Sequence, residues 1–88
     1  MKLLTKEDME DILGKQLGGS VYNYARQNMT TNRVMSRKSW AKIAAYNLSN
    51  LIQLLEKEYA NPPSNKRWAK TMWRTNFDEV ITKLKAAK

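Results

Sequence analysis

This sequence predicts an all-α fold: a compact bundle of four to five helices around one long central helix at about residues 37–59. Three observations point there. Apolar residues recur at three- and four-residue spacing through most of the chain, as they do in helices that bury one face. Ser or Thr stands before several of those runs, as an N-cap would. Gly18-Gly19 and Asn61-Pro62-Pro63 punctuate them. A chain of 88 residues makes a single small domain, 1–88, with an expected radius of gyration of about 12 Å. Its 42% apolar content is enough for a folded core.

The first helix is expected from about residue 6 to 17. Thr5-Lys6-Glu7-Asp8 has the spacing of a capping box, with a carboxylate at the third helical position. Met9, Ile12, Leu13 and Leu17 give the apolar stripe, and Gly18-Gly19 ends it. Ser20 would cap a shorter second helix carrying Val21, Tyr24, Ala25 and Met29. After a polar connection from Thr30 to Met35, Ser36 caps the central helix. At 100° per residue, Trp40, Ile43, Ala44, Leu48, Leu51, Ile52, Leu54, Leu55 and Tyr59 fall on about half its circumference. Such a helix would be about 34 Å long and would be the element on which the others pack. Proline lacks the amide hydrogen, so Pro62-Pro63 stops it. Ser64 then caps a fourth helix, with Trp68 and Met72 inward and Trp73 at the boundary. Beyond Arg74 the apolar set changes face to Phe77, Val80, Ile81 and Leu84. A break near Thr75-Asn76 and a fifth helix are therefore expected.

Charge is the strongest global feature. The formal net charge is +8, and the signs are segregated. Four acids, Glu7, Asp8, Glu10 and Asp11, sit together near the N-terminus. From Ile12 to Leu55 there is no acid, while Lys15, Arg26, Arg33, Arg37, Lys38 and Lys42 accumulate. Tyr59 to Phe77 is again acid-free and holds Lys66, Arg67, Lys70 and Arg74. Segregation of this kind presents a positive face to an acidic partner.

The composition argues against catalysis. There is no histidine and no cysteine, which removes the commonest general base, the thiolate nucleophile and the usual transition-metal ligands. The four N-terminal acids suit the positive end of a helix better than a metal ion. Gly18-Gly19 matches no phosphate loop. No cofactor, no metal and no enzymatic activity are expected. No apolar run has the roughly 18–20 residues of a membrane span, and no secretory leader is visible, so a cytoplasmic or nucleoid-associated location is expected.

The expected function is non-enzymatic nucleic-acid binding, DNA in preference to RNA, through basic helix N-termini that contact phosphates. Arg33, Arg37, Lys38 and Lys42 would make one contact cluster. Lys66, Arg67, Lys70 and Arg74 would make a second. A split of the central segment at Ala45-Tyr46-Asn47-Leu48 would give a helix-turn-helix with Asn50, Gln53 and Lys57 outward, but no glycine marks that turn. The alternative reading is an adaptor or inhibitor that docks on an acidic protein surface. A homodimer sharing Trp73 or the last helix is compatible with both.

Overall fold

Lys42 to Asn47, placed by their spacing inside a long helix, form instead the central strand of a sheet. A computed structural model describes residues 2–35, 41–61 and 71–87. Over these the chain runs β1 (Leu3–Thr5), α1 (Lys6–Leu13), α2 (Lys15–Asn28), β2 (Asn32–Met35), β3 (Lys42–Asn47), α3 (Leu48–Ala60), α4 (Met72–Thr75) and α5 (Phe77–Ala86). β1 and β2 pair antiparallel with the two edges of β3, in the order β1-β3-β2. The expected all-α bundle is thus corrected to a mixed α/β architecture, with helices packed on a three-stranded antiparallel sheet. The central helix shrinks to Leu48–Ala60. Of the fourth helix expected from Ser64, only α4 lies among the described residues; its Trp68 anchor lies outside them, and Met72, expected inward, is exposed.

The run Ile43-Ala44-Ala45-Tyr46 explains the difference. A strand covered on both faces shows a continuous apolar run, not alternation, and alanine is the strongest helix former. Pairing decides the outcome. Leu3, Leu4 and Thr5 stand opposite Asn47, Tyr46 and Ala45, and Asn32 to Met35 stand opposite Ala45 to Lys42. Both edges of β3 are thereby satisfied, which a lone helix in this position would not offer to β1 and β2. Asn47 ends the strand and starts α3, its side chain accepting the Asn50 amide at 2.9 Å. The chain does break near Ala45–Leu48, but between strand and helix. At the other end of the sheet, Thr5 closes β1 and caps α1. The expected capping box is present, with Thr5 Oγ1 accepting from the Asp8 amide at 3.1 Å and Asp8 Oδ2 from the Thr5 amide at 3.0 Å.

The first two helices also divide differently. α1 stops at Leu13, and α2 begins at Lys15 and runs through Gly18-Gly19. Gly14 makes the turn with φ 90° and ψ 160°, a backbone state open to glycine almost alone. Its amide donates to Glu10 O at 2.8 Å, and its carbonyl accepts from the Gly18 amide at 2.8 Å. Gly18 is where α2 crosses α1. A Cβ there would lie 2.6 Å from the Glu10 backbone. Ser20 is not an N-cap; its hydroxyl accepts the Trp73 amide at 3.2 Å.

The core gathers Leu4 and Tyr46 from the sheet, Met9 and Leu13 from α1, and Val21, Tyr24 and Ala25 from α2. Leu48, Leu51, Ile52 and Leu55 of α3, Trp73 of α4, and Val80, Ile81 and Leu84 of α5 complete it. Trp73, expected at a boundary, is fully buried, with its ring 5.0 Å from that of Tyr24. The expected break at Asn76 separates α4 from α5. Among the described residues no helix is long and apolar enough to cross a membrane.

Two measurements test this packing. Gly18→Ala should cost about 1–3 kcal/mol, the usual penalty of overpacking. Gly19→Ala, where a Cβ meets nothing within 4 Å, should instead add about 0.5–1 kcal/mol. Urea midpoints at constant slope will report both. Tyr24 supplies the second test. Burial first, then the charge and hydrogen bond of Glu58, push its phenol from 10.0 up to about 12, with Arg74 pulling the other way. The folded chain therefore holds this proton more tightly than the unfolded chain does. The stabilisation is complete below about pH 10 and is lost as pH rises from 10 toward 12. The fall in thermal midpoint over that interval should be shallower in Tyr24→Phe.

Candidate nucleic-acid interface

α2 has two unlike sides. Leu17, Gly18, Val21, Tyr24 and Ala25 turn inward. With Gln16 set at 0° on the helical wheel, Gln27 falls at about 20°, Asn23 at about 340°, Arg26 at about 280° and Lys15 at about 260°. All five are exposed. They make a contiguous arc of about 120° that holds amides and cations and no carboxylate. The helix is about 21 Å long at 1.5 Å per residue.

The sheet borders the cationic edge of that arc. Tyr22, next around the wheel from Lys15, meets Tyr46 of β3 edge to face, with ring centroids 5.9 Å apart. Residues opposite one another in a ladder share a face, and so do alternate residues along a strand. Tyr46 therefore shares its face with Ala44 and Lys42 of β3 and, across the ladder, with Arg33 and Met35 of β2. Further in, this face is buried under the helices. Toward the end where β2 leads on to β3, Arg33, Met35 and Lys42 are exposed.

Arg33 and Lys42 are thus brought together, on paired strands and one face. Neither forms an ion pair with a described carboxylate. Glu56 and Glu79 bind Lys85 at 3.5 Å and Lys83 at 3.3 Å, away from the hairpin. Arg37 and Lys38, between β2 and β3 in sequence, and Lys66, Arg67 and Lys70 lie outside the described residues. The basic start expected for the central helix at Ser36 is corrected, because that helix begins at Leu48.

Arg74 is built into the fold. Half-buried, it donates from Nη1 to Glu58 O at 2.9 Å. Its guanidinium lies 5.6 Å from the ring centres of both Tyr59 and Trp73. Tyr59 in turn stacks on Phe77 at 3.9 Å. This clamp joins the end of α3 to α4 and α5. Asn50, Gln53 and Lys57 are exposed on α3 as expected, beside Glu56.

Lys15 and Arg26 belong to the acid-free interval of the sequence but to neither expected contact cluster, and Gln16, Asn23 and Gln27 carry no signal in the sequence that singles them out. A first helix over about 6–17 puts Lys15 and Gln16 on a different element from Asn23 and Gln27. The available signal was the acid-free interval itself, which spans all of α2 and the hairpin. Among the described residues no group of acids is arranged to hold a metal ion. A depression of about 450 Å³ at the start of α2 is walled in part by Lys15, Gln16, Met72 and Asn76, with no carboxylate among its described lining residues.

Removing the clamp should be felt as stability. Arg74→Ala is expected to cost about 1.5–3 kcal/mol, the range for a hydrogen bond made by a charged group. Arg26→Ala, on the exposed arc, should stay within about 0.5 kcal/mol. Denaturant titration of the two variants will separate them. No family model matches this chain, and no curated protein or solved structure matches it.

Proposed function

We propose that this protein is a non-enzymatic nucleic-acid-binding module that lays α2 along a duplex and holds the adjacent backbone with the β2–β3 hairpin. One observation carries the reading: an exposed, acid-free helical arc borders a hairpin face on which Arg33 and Lys42 stand together without a described counter-ion. Phosphate contacts fix the position of a protein on a duplex and supply most of the non-specific affinity. Lys15 and Arg26 on the helix, Arg33 and Lys42 on the hairpin, and Arg37 and Lys38 between its strands in sequence provide six such cations. The contact is made by one helical face and one hairpin, and not by helix N-termini. Lys66, Arg67 and Lys70 would extend it only if they fall on the same side, and Arg74 is engaged elsewhere.

The reading makes a quantitative statement about salt. Six neutralised phosphates on duplex DNA give a slope of log affinity against log salt near −5, about −0.9 per contact. Replacing both Arg33 and Lys42 by alanine should bring that slope to roughly −3.5 and weaken binding to all sequences alike. Fluorescence anisotropy of a labelled duplex over a range of salt concentrations measures both. A flat salt response, or an unchanged slope in the double variant, would count against the proposal. Capture of a protein partner that survives nuclease treatment, with no binding to purified duplex, would favour docking on an acidic protein surface.

A further inference from the structure

We infer that α2 recognises bases, and that its ligand is B-form DNA whose preferred site presents adenines in the major groove to Gln16, Asn23 and Gln27. The inference rests on the duplex-binding reading above and adds to it a ligand class and the residues that select it.

The three amides occupy one line on the helix. Their separations of seven and four residues keep them within about 40° of one another on the wheel and spread them over about 17 Å of the axis. They lie at one end of the exposed arc, from about 340° to 20°, with the cations of Lys15 and Arg26 at its other end. A face that served only to hold phosphates would carry cations across its whole width. A face that served only solubility would carry carboxylates as well, as exposed Glu7 and Asp11 do on α1.

The amides are also unoccupied by the fold. Asn28 donates to Tyr24 O, Asn61 to Lys57 O and Asn76 to Met72 O, and Asn47 caps α3. Each of those serves the nearby backbone, as asparagines at helix ends commonly do. The side chains of Gln16, Asn23 and Gln27 stand exposed and make no hydrogen bond to a described residue. Asn50 and Gln53 are the outward amides of α3, where Gln53 stands one turn from Glu56, the partner of Lys85.

A carboxamide carries a donor and an acceptor side by side. Adenine presents the matching pair in the major groove, an N7 acceptor and an N6 amino donor, and Asn or Gln can engage both at once. The major groove of B-form DNA, about 12 Å wide, admits a helix. That of an A-form RNA helix is too deep and narrow for side chains to read. Rod-shaped helix and groove therefore match, with phosphates flanking the groove placed toward Lys15, Arg26 and the hairpin.

The experiment selects binding sites for the full chain from a randomised DNA duplex pool, then measures affinities for the enriched site. Enrichment of adenines at spaced positions is expected. Asn23→Ala and Gln27→Ala should each lower the preference for that site over a random duplex by about 5- to 100-fold, the range for one bidentate base contact. Their salt slope should remain that of the native chain, because no phosphate contact is removed. Substituting 7-deazaadenine at the preferred positions, which deletes only the N7 acceptor, should produce a comparable loss. The same sequence as an RNA duplex should bind no better than random RNA. Binding to every duplex with equal affinity, or a preference untouched by both variants and by the modified base, would overturn base recognition and leave the phosphate-binding reading standing. Failure to bind any duplex would overturn both.

Discussion

The contact on which this architecture rests is the crossing of α1 and α2 at Gly18. The two backbones approach so closely there that a Cβ would lie 2.6 Å from Glu10 Cα. Side chains elsewhere in the core can adjust by changing rotamer, but two helical backbones cannot. The crossing therefore fixes how α2 is rotated about its own axis. With Gly18 facing α1, the geometry of the helix leaves little choice: Val21 and Ala25 enter the core and Asn23 and Gln27 leave it. Gly14 serves the same end, since its left-handed backbone reverses the chain within a single residue. Two glycines thus set the orientation of the surface to which a function is assigned.

The sheet plays a complementary part. β3 is held from both edges and carries Tyr46, which is completely buried and touches Tyr22 of α2. This ring contact links the helical layer to the strands, so the hairpin is registered against the helix and is not an independent arm. Thr5 and Asn47 lie at opposite ends of the β1–β3 pairing, where each closes a strand and opens a helix. Two residues at the ends of neighbouring strands thereby point α1 and α3 away from the sheet at fixed positions. On the far side, Arg74 binds the end of α3 to α4 and α5, and Trp73 ties α4 to α2 through Ser20.

The parts of this fold that could be read from the sequence were those decided locally. The Thr5–Asp8 capping box depends on four consecutive residues. The end of α3 near Asn61 and the break at Asn76 come from a breaker and from a change of apolar face. β1 is three residues long, too short to display a period, and only its pairing with β3 makes it a strand. β3 concealed itself because both faces are covered, leaving Ala44-Ala45 with no alternation to betray them. The glycines misled in a more instructive way. A pair of adjacent glycines looks like a stop, yet the stop is the single Gly14, and Gly18 is needed for what it touches. That requirement is a property of two helices together and cannot be found in either alone. The segregation of charge was legible, but its meaning was not. Positions on α2 could be grouped only once the true start of that helix was known, and Arg74 could be set apart only once its partners were placed.

The division of α2 into an inward and an outward side has an evolutionary corollary. Every residue that anchors the helix lies on one side, so exchanges on the other leave the folding free energy nearly untouched. Under the proposed reading, descendants of such a chain can drift in target preference while their scaffold stays constant, and a library varied only at Gln16, Asn23 and Gln27 would sample new preferences with few members lost to misfolding.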